Sequence, residues 1–334
     1  MNFIKSVRNA AAMLAMTASI GTADLGFAQE KVILKVGHDS SIDSPYQTAA
    51  VYFKKKVEQA TEGRVSVQVF PNAQLGDEST LVDGLKVGAV DVAYTSIAPI
   101  SESVPEVDIF NLPFLFRNID DAIAVANGPV GENLKAKIEP AIGGKVVGWG
   151  SLGERDMWNS KRPIRDVADL KGLKMRIQQS ATQQNTYSAL GALPTPIPYT
   201  ELYTSLQTGV VDGADNGPLD LLEDKFYQVT KYVTMTSHFI VITPALISDK
   251  ALVKLSDADK TIVLTALQES ATELTKDTEA KAQSAMAELK SKGLEITELS
   301  SKARQDFIDA VATVYRDNAG RVGGQAVIDS ILNR

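Results

Sequence analysis

One phrase occurs twice in this chain, and it limits the fold more than any other feature. LKVGAVDVA (Leu85 to Ala93) is echoed by LQTGVVDGA (Leu206 to Ala214). Leu81/Leu202, Leu85/Leu206, Gly88/Gly209, Val90/Val211, Asp91/Asp212 and Ala93/Ala214 are all identical pairs 121 positions apart, with no gap. So short an echo can arise by chance; its weight comes from the elements around it. In the first half, KVILKVGH reads as a buried strand ending at Asp39-Ser40-Ser41, and YQTAAVYFKKKVEQATEG as a helix closed by Gly63. RVSVQVF is a second strand stopped by Pro71, DESTLVDGLKVG a helix with an acidic first turn and a terminal Gly88, and VDVAYTS a third strand. From Gly172 the order repeats: GLKMRIQ, SATQQNTYSALGA, LPTPIP, YTELYTSLQTG and VVDGADNG.

Strand, helix, strand, helix, strand, taken twice, predicts an α/β protein of two lobes, each a parallel βαβαβ sheet with right-handed crossovers. The repeated glycines then end helices, and the repeated aspartates start strands that run toward a shared cleft. Helix ends and tight turns need such residues, so their expected role is structural. GGKVVGWGSLGERDMWNSKRPIRDVADLKG reads as a long strand and loop crossing between lobes, and YVTMTSHFIVITPALIS as the return crossing. From Ser256, a capping box opens a helix of roughly 36 residues, about 54 Å, that ends at Gly293 and spans both halves. Its polar stretch after Glu269 reads as solvent-facing.

The first 28 residues carry Lys5 and Arg8, an apolar run from Ala10 to Ile20 and small residues up to Ala28. That is the pattern of a cleaved secretory leader, too short to span a membrane. The expected domains are therefore a leader at 1–28, lobe I at 29–150, lobe II at 151–245, and a spanning helix with C-terminal helices at 246–334. Without Lys5, Arg8 and Asp24, the 34 basic and 41 acidic residues become 32 and 40, a net charge of −8. This argues against nucleic acid or an anionic membrane as partner. There are no cysteines and only His38 and His238, so thiolate zinc sites are excluded and a His-rich metal site is not expected. Phosphate-loop, dinucleotide and G-x-S-x-G fingerprints are absent, and no cofactor or catalytic group is expected.

In open parallel sheets, ligands bind beyond the carboxyl ends of the strands. Arg176 lies near that end of GLKMRIQ, just before a helix start, where a guanidinium fork and free helix N–H groups act on one anion. Spacing alone leaves it between an anion clamp and a surface ion pair. Arg155, in GERDMWNS, is flanked by Glu154 and Asp156, and local spacing favours a surface pair. His38 ends the first strand at the matching position, so it is a candidate hydrogen-bond donor to a ligand. Glu78 opens the second helix and joins the candidate set. Tyr94, Thr95, Trp158 and Phe239 are candidate pocket walls, with burial in the core the default for Trp158 and Trp149.

RPIRDVADLKGLKMRIQ followed by ALGALPTPIPYTELYTSLQTGVVDGADN, with QLGDESTLVDGLKVGAVDVA and DIFNLPFLFRN earlier, resembles the solute-binding proteins of tripartite ATP-independent periplasmic (TRAP) transporters, from about Val32 to the C-terminus. The resemblance implies a periplasmic monomer that closes on a small organic acid and delivers it to small and large membrane subunits driven by a sodium gradient. It also implies that Arg176 clamps the ligand carboxylate, that Arg155 adds a second contact, and that Asn216 hydrogen-bonds the ligand. The chain departs from the pattern at Asp215, where relatives usually carry glutamate, and at Gly217, an insertion between Asn and Pro. A sensory binding protein or a periplasmic enzyme on the same two-lobed fold are the competing readings.

Overall fold

β-branched residues and an aspartate bracket build the first half. The computed structural model describes residues 31–334; the leader expected at 1–28 lies outside the described residues. β1 (Val32–Gly37) pairs in parallel with β2 (Val65–Phe70) and β3 (Val92–Tyr94), with α1 (Pro45–Ala60) and α2 (Glu78–Val87) as the crossovers. Ser44 caps α1 by accepting from the amide of Gln47, and Pro45 occupies the first turn, where its missing N–H costs nothing. Two helices, α3 (Ile119–Ala126) and α4 (Pro129–Ile142), lead to β4 (Gly144–Asn159). The second half repeats the plan: β5 (Lys174–Ile177) runs parallel to β6 (Leu193–Pro196) and β7 (Gly213–Asn216), with α5 (Ala181–Ala189) and α6 (Leu202–Gln207) between them. Then follow α7 (Pro218–Glu223), β8 (Tyr232–Ser248), the short α8 (Asp249–Leu252), α9 (Asp257–Ser291), β9 (Glu295–Glu298) and three terminal helices, α10 (Ser301–Ala310), α11 (Ala312–Asn318) and α12 (Gln325–Leu332).

The two sheets are joined edge to edge. β4 and β8 pair antiparallel along their whole length, from Gly144 opposite Ser248 to Asn159 opposite Tyr232, so the strand order is β2-β1-β3-β8-β4-β7-β5-β6. β3 pairs with the end of β8, β7 with the end of β4, and β9 with the start of β8. The boundaries expected at residues 150 and 245 therefore fall inside continuous strands that serve both halves. Three register shifts interrupt the β4–β8 pairing, between Val146 and Gly148, Ser151 and Gly153, and Arg155 and Met157. Such bulges bend and twist a strand pair locally.

The duplicated phrase has one structural meaning in both places. Gly88 (φ 76°) and Gly209 (φ 74°) adopt the left-handed conformation that ends a helix. Asp91 donates its amide to the Lys35 carbonyl at 3.0 Å and accepts the Lys35 amide on Oδ2 at 2.8 Å. Asp212 does the same to Lys174, at 2.7 and 2.9 Å. In each half a carboxylate thus stands in for the missing ladder partner where the third strand meets the first.

α9, 35 residues long, starts at the expected cap: Ser256 Oγ accepts the Asp259 amide at 3.1 Å. Its far half is not the solvent-facing stretch that its composition suggests. Ser270, Ala271, Leu274, Thr278, Ala285 and Leu289 are all buried, since a few small and apolar residues at helical spacing suffice to seat one face. Val263, Leu267 and Leu274 complete the first-half core with Leu34, Phe53 and Ile247, whereas Leu289 enters the second-half core with Trp158, Leu202 and Phe226. A third cluster, around Phe110, Trp149, Tyr187 and Phe239, takes residues from both halves. Among the described residues, no helix is long and apolar enough to cross a membrane.

Removing either aspartate bracket leaves a backbone amide without its partner. Asp91→Ala and Asp212→Ala are each expected to lower unfolding free energy in urea by about 1–3 kcal/mol. A loss under roughly 0.5 kcal/mol at both positions, the range of ordinary surface changes, contradicts this.

Candidate functional site

Two arginines project into the junction between the halves, and their surroundings differ sharply. Arg155 comes from β4, beside the third bulge, and is buried. Its Nε donates to Asp215 Oδ2 at 2.8 Å, and its Nη2 donates to Asp215 Oδ1 at 2.9 Å and to the Asp215 carbonyl at 2.6 Å. Nη1 reaches Asn216 Oδ1 at 3.2 Å. Behind this fork, His238 Nε2 lies 3.1 Å from Asp215 Oδ2 and 3.1 Å from the Tyr187 hydroxyl, and Thr236 fixes the other ring nitrogen at 2.7 Å. Burial alone would raise the Asp215 pKa and lower that of Arg155; their mutual attraction overrides both, leaving the acid below and the base above its ordinary value. The surface pair expected with Glu154 or Asp156 is thus replaced by a buried one across the β4–β7 ladder, where Asp156 pairs with Asn216.

Arg176 is the penultimate residue of β5 and is 3 % exposed. Nε donates to the Ile197 carbonyl at 2.7 Å, Nη1 is buried without a partner, and the guanidinium sits 5.9 Å from the ring centre of Tyr199. Burial, and then the nearby Arg155, pull its pKa down to about 10. A buried cation in that condition lacks a counter-anion, and a ligand carboxylate would supply one.

Around Arg176 are carboxyl groups that burial has pushed toward the protonated form. Glu78, at the start of α2, accepts from both the amide and the hydroxyl of Ser96, the latter at 2.8 Å, yet burial still raises its pKa. Asp39 is raised well above the usual range by burial, then by Glu78 and Asp224, and its Oδ2 has no partner. Asp220 of α7 is raised to about 7 by burial and by Asp224. Tyr46, with an unpartnered buried hydroxyl, and the amides of Gln178 and Asn216 complete the lining.

The halves are tied across this junction. Gln178 Nε2 donates to Ser96 Oγ at 2.9 Å, Ser79 donates to Gln179 Oε1 at 2.8 Å, and Ser180 donates to Asp108 at 2.8 Å. About 20 Å³ remains between the lining groups, room for about one water and far below the roughly 300 Å³ at which small-molecule sites begin. The two halves are therefore in direct contact around Arg176.

A family model described as "Bacterial extracellular solute-binding protein, family 7" (DctP) matches residues 36–321. The chain belongs to this family, the periplasmic solute-binding proteins of TRAP transporters. A "Solute-binding protein" from Verminephrobacter eiseniae is 35% identical over 289 residues, covering 86% of this chain and 85% of that protein. Among solved structures, the sugar acid binding protein DctPAm from Advenella mimigardefordensis, in complex with galactonate, is 30% identical with a TM-score of 0.87, covering 91% of this chain and 97% of that one. A TRAP periplasmic solute binding protein from Polaromonas bound to D-erythronate is 34% identical with a TM-score of 0.85, covering 90% and 98%. These neighbours bear out the two-lobed α/β reading.

Of the residues singled out in this TRAP binding protein, Arg176, Arg155, Asn216 and Glu78 line the junction together. The other candidates sit elsewhere. His38 points behind the site, its Nε2 2.9 Å from Gln47 Oε1, and its neighbours Asp39 and Ser40 take the lining positions instead. Tyr94 meets Ser270 of α9 at 2.5 Å in the first-half core, and Thr95 is fully buried. Trp158 stacks on Phe226 at 5.4 Å in the second-half core, so burial prevails over a role as pocket wall. Phe239 lies opposite Arg155 in the ladder, but its ring packs at 4.4 Å on His238 within the central core. Strand alternation beside a bulge decides such outcomes, and the bulge is not written in a period-two pattern. Asp39, Tyr46, Tyr199 and Asp220 were missed; Asp39 alone had a signal, being the first residue past the carboxyl end of β1 bar His38. Gly217 has an ordinary φ of −70° and caps α7, and Asn216 keeps its place in β7.

The two arginines should respond oppositely to loss of charge. Without ligand, Arg155→Met is expected to cost about 3–5 kcal/mol because it strands Asp215, whereas Arg176→Met leaves stability equal or higher. Equal losses for the two variants in urea unfolding would disprove the distinction.

Proposed function

We propose that this protein captures a polyhydroxylated monocarboxylic acid of the sugar-acid class in the periplasm and delivers it, as a monomer, to the two TRAP membrane subunits. The observation that carries this reading is the buried guanidinium of Arg176, which has a backbone carbonyl and an aromatic face but no carboxylate partner. The carboxylate of the ligand would complete it, and exclusion of water on closure strengthens the pair. Asn216 engages Arg155 through its oxygen, so its amide N–H groups are available to the ligand. The charge count favours a single negative charge on the ligand: Arg155 is already neutralised by Asp215, which leaves Arg176 as the one lining cation for a carboxylate to meet. Asp39, Glu78 and Asp220, with the Tyr46 hydroxyl, are well suited to hydrogen-bond sugar hydroxyls. The related structures with galactonate and erythronate support the same class.

Capture would work by hinge closure. Arg176, Gln178, Tyr199 and Asp220 come from the second half, Asp39, Tyr46, Glu78 and Ser96 from the first, and β4 and β8 carry the bulges about which the halves turn. An anion touching both sets binds the shut form better and shifts the population to it. The leader pattern at residues 1–28 supports export. The acid should be released unchanged, with no turnover by mass spectrometry.

In isothermal titration, D-galactonate should bind at least about tenfold more tightly than succinate, and Arg176→Ala should weaken it by at least roughly a hundredfold while circular dichroism is unchanged. Tight succinate binding with weak binding of sugar acids would overturn the class, and unchanged affinity in Arg176→Ala would overturn the site. The pH dependence follows from the raised carboxyls. Each keeps a proton above the usual carboxylate range and loses it as pH rises, Asp220 near pH 7, which places negative charge beside the bound anion. Affinity is therefore expected to fall between about pH 6 and pH 8, with proton uptake on binding detected in buffers of different ionisation enthalpy. Affinity that rises with pH would contradict this.

A further inference from the structure

Behind the crossing strands, on the α9 side, lies a groove of about 740 Å³, within the roughly 300–1,000 Å³ of small-molecule sites. Its walls are the far half of α9, the bulged stretch of β4, the start of α7 and parts of β8 and β9. The floor is apolar: Leu152, Leu219, Met235, Met286 and Ile296. Methionine side chains adapt to irregular apolar shapes, and Met235 is 36% exposed here. The charged residues in the lining are Glu154, Asp156, Glu279 and Glu298 against Lys290 alone. Asp156 is 5% exposed and accepts the Ser237 amide at 3.0 Å, while Glu154 accepts the Ser237 hydroxyl at 2.5 Å. An apolar floor with a net acidic rim complements an apolar body carrying one positive charge. A fatty acid or a second sugar acid would meet the wrong sign.

We infer that this groove is a second binding site, for a small amphipathic cation such as an alkylammonium, and that its occupation favours the shut arrangement of the halves. The coupling follows from shared residues. Leu152 lines both the groove and the Arg176 junction, and Pro218 and Leu219 of the groove are joined to Asn216 of the junction through the single residue Gly217. Two of the three register shifts lie in the same wall, and Gly153 between them has φ +88° and faces Thr278 of α9. A hinge motion at those bulges reshapes the groove, so a molecule complementary to it as it stands here selects the shut form. Burial raises the Asp156 pKa to about 7, which agrees with a carboxylate that a cation would stabilise. The conformational part rests on the hinge-closure reading above; the site itself does not.

The probe is octylammonium, titrated calorimetrically into the whole mature protein, with octanol and octanoate as controls. Saturable binding of the amine is expected, at least about tenfold tighter than either control. Ala282→Trp, which fills the groove from α9, should abolish it; the doubly substituted Glu279→Gln/Glu298→Gln, at two exposed rim positions, should weaken it about threefold or more with the fold intact. Because the chain has no cysteine, Lys55→Cys and Thr204→Cys can carry a spin-label pair, one in each half. Octylammonium should shift the label distance in the same direction as D-galactonate. No saturable binding, equal binding of the controls, or binding indifferent to Ala282→Trp overturns the site. A distance moved by galactonate but not by the amine overturns the coupling alone. A distance that galactonate does not move counts against the hinge reading, while the calorimetry still decides the site.

Discussion

Unequal compensation of two neighbouring arginines organises this molecule. Arg155 is held by both carboxylate oxygens and the carbonyl of Asp215, and it behaves as part of the core. Arg176, equally buried, holds only a carbonyl and an aromatic face. Desolvating a cation costs several kcal/mol unless something offsets it; Arg155 has a carboxylate to do so, and Arg176 has none within ion-pair distance. The His238–Tyr187–Thr236 chain behind Asp215 keeps that acid committed to Arg155 and unavailable to Arg176.

That arrangement needs a scaffold that is stiff within each half and compliant between them. Parallel βαβαβ units, braced by Asp91 and Asp212, supply the stiffness. Compliance is placed in β4 and β8, which are long enough to belong to both halves and are interrupted three times in register. α9 runs across both cores, with Leu267 in the first-half core and Leu289 in the second-half core. The groups around the Arg176 guanidinium come from both halves.

Much of this was legible in the residues. The alternation of strand and helix patterns predicted two parallel units, the Gly and Asp of the repeated phrase predicted helix ends and strand starts, and Ser256 marked the origin of the long helix. Arg176 stood out as a cation at the carboxyl end of a strand. Sequence neighbours misled at Arg155, because Glu154 and Asp156 are adjacent in the chain while Asp215 is adjacent in space, 60 residues away. They also misled at Phe239, an aromatic residue near the site that faces into a core, and at the far half of α9, where a polar composition concealed one buried face; Trp158 took the core place that was its default.

What the sequence determined by itself was local: which segments are strands or helices, where they cap and end, and that the halves repeat. Those outcomes depend on periodicity and on residues within a few positions of one another. Only the tertiary structure decided which arginine is neutralised, which carboxyls are dry enough to hold protons, and that two sheets share one pair of crossing strands. Each of these depends on burial and on charges brought together from distant parts of the chain, and neither dielectric surroundings nor strand register across a bulge is encoded in any short stretch of residues.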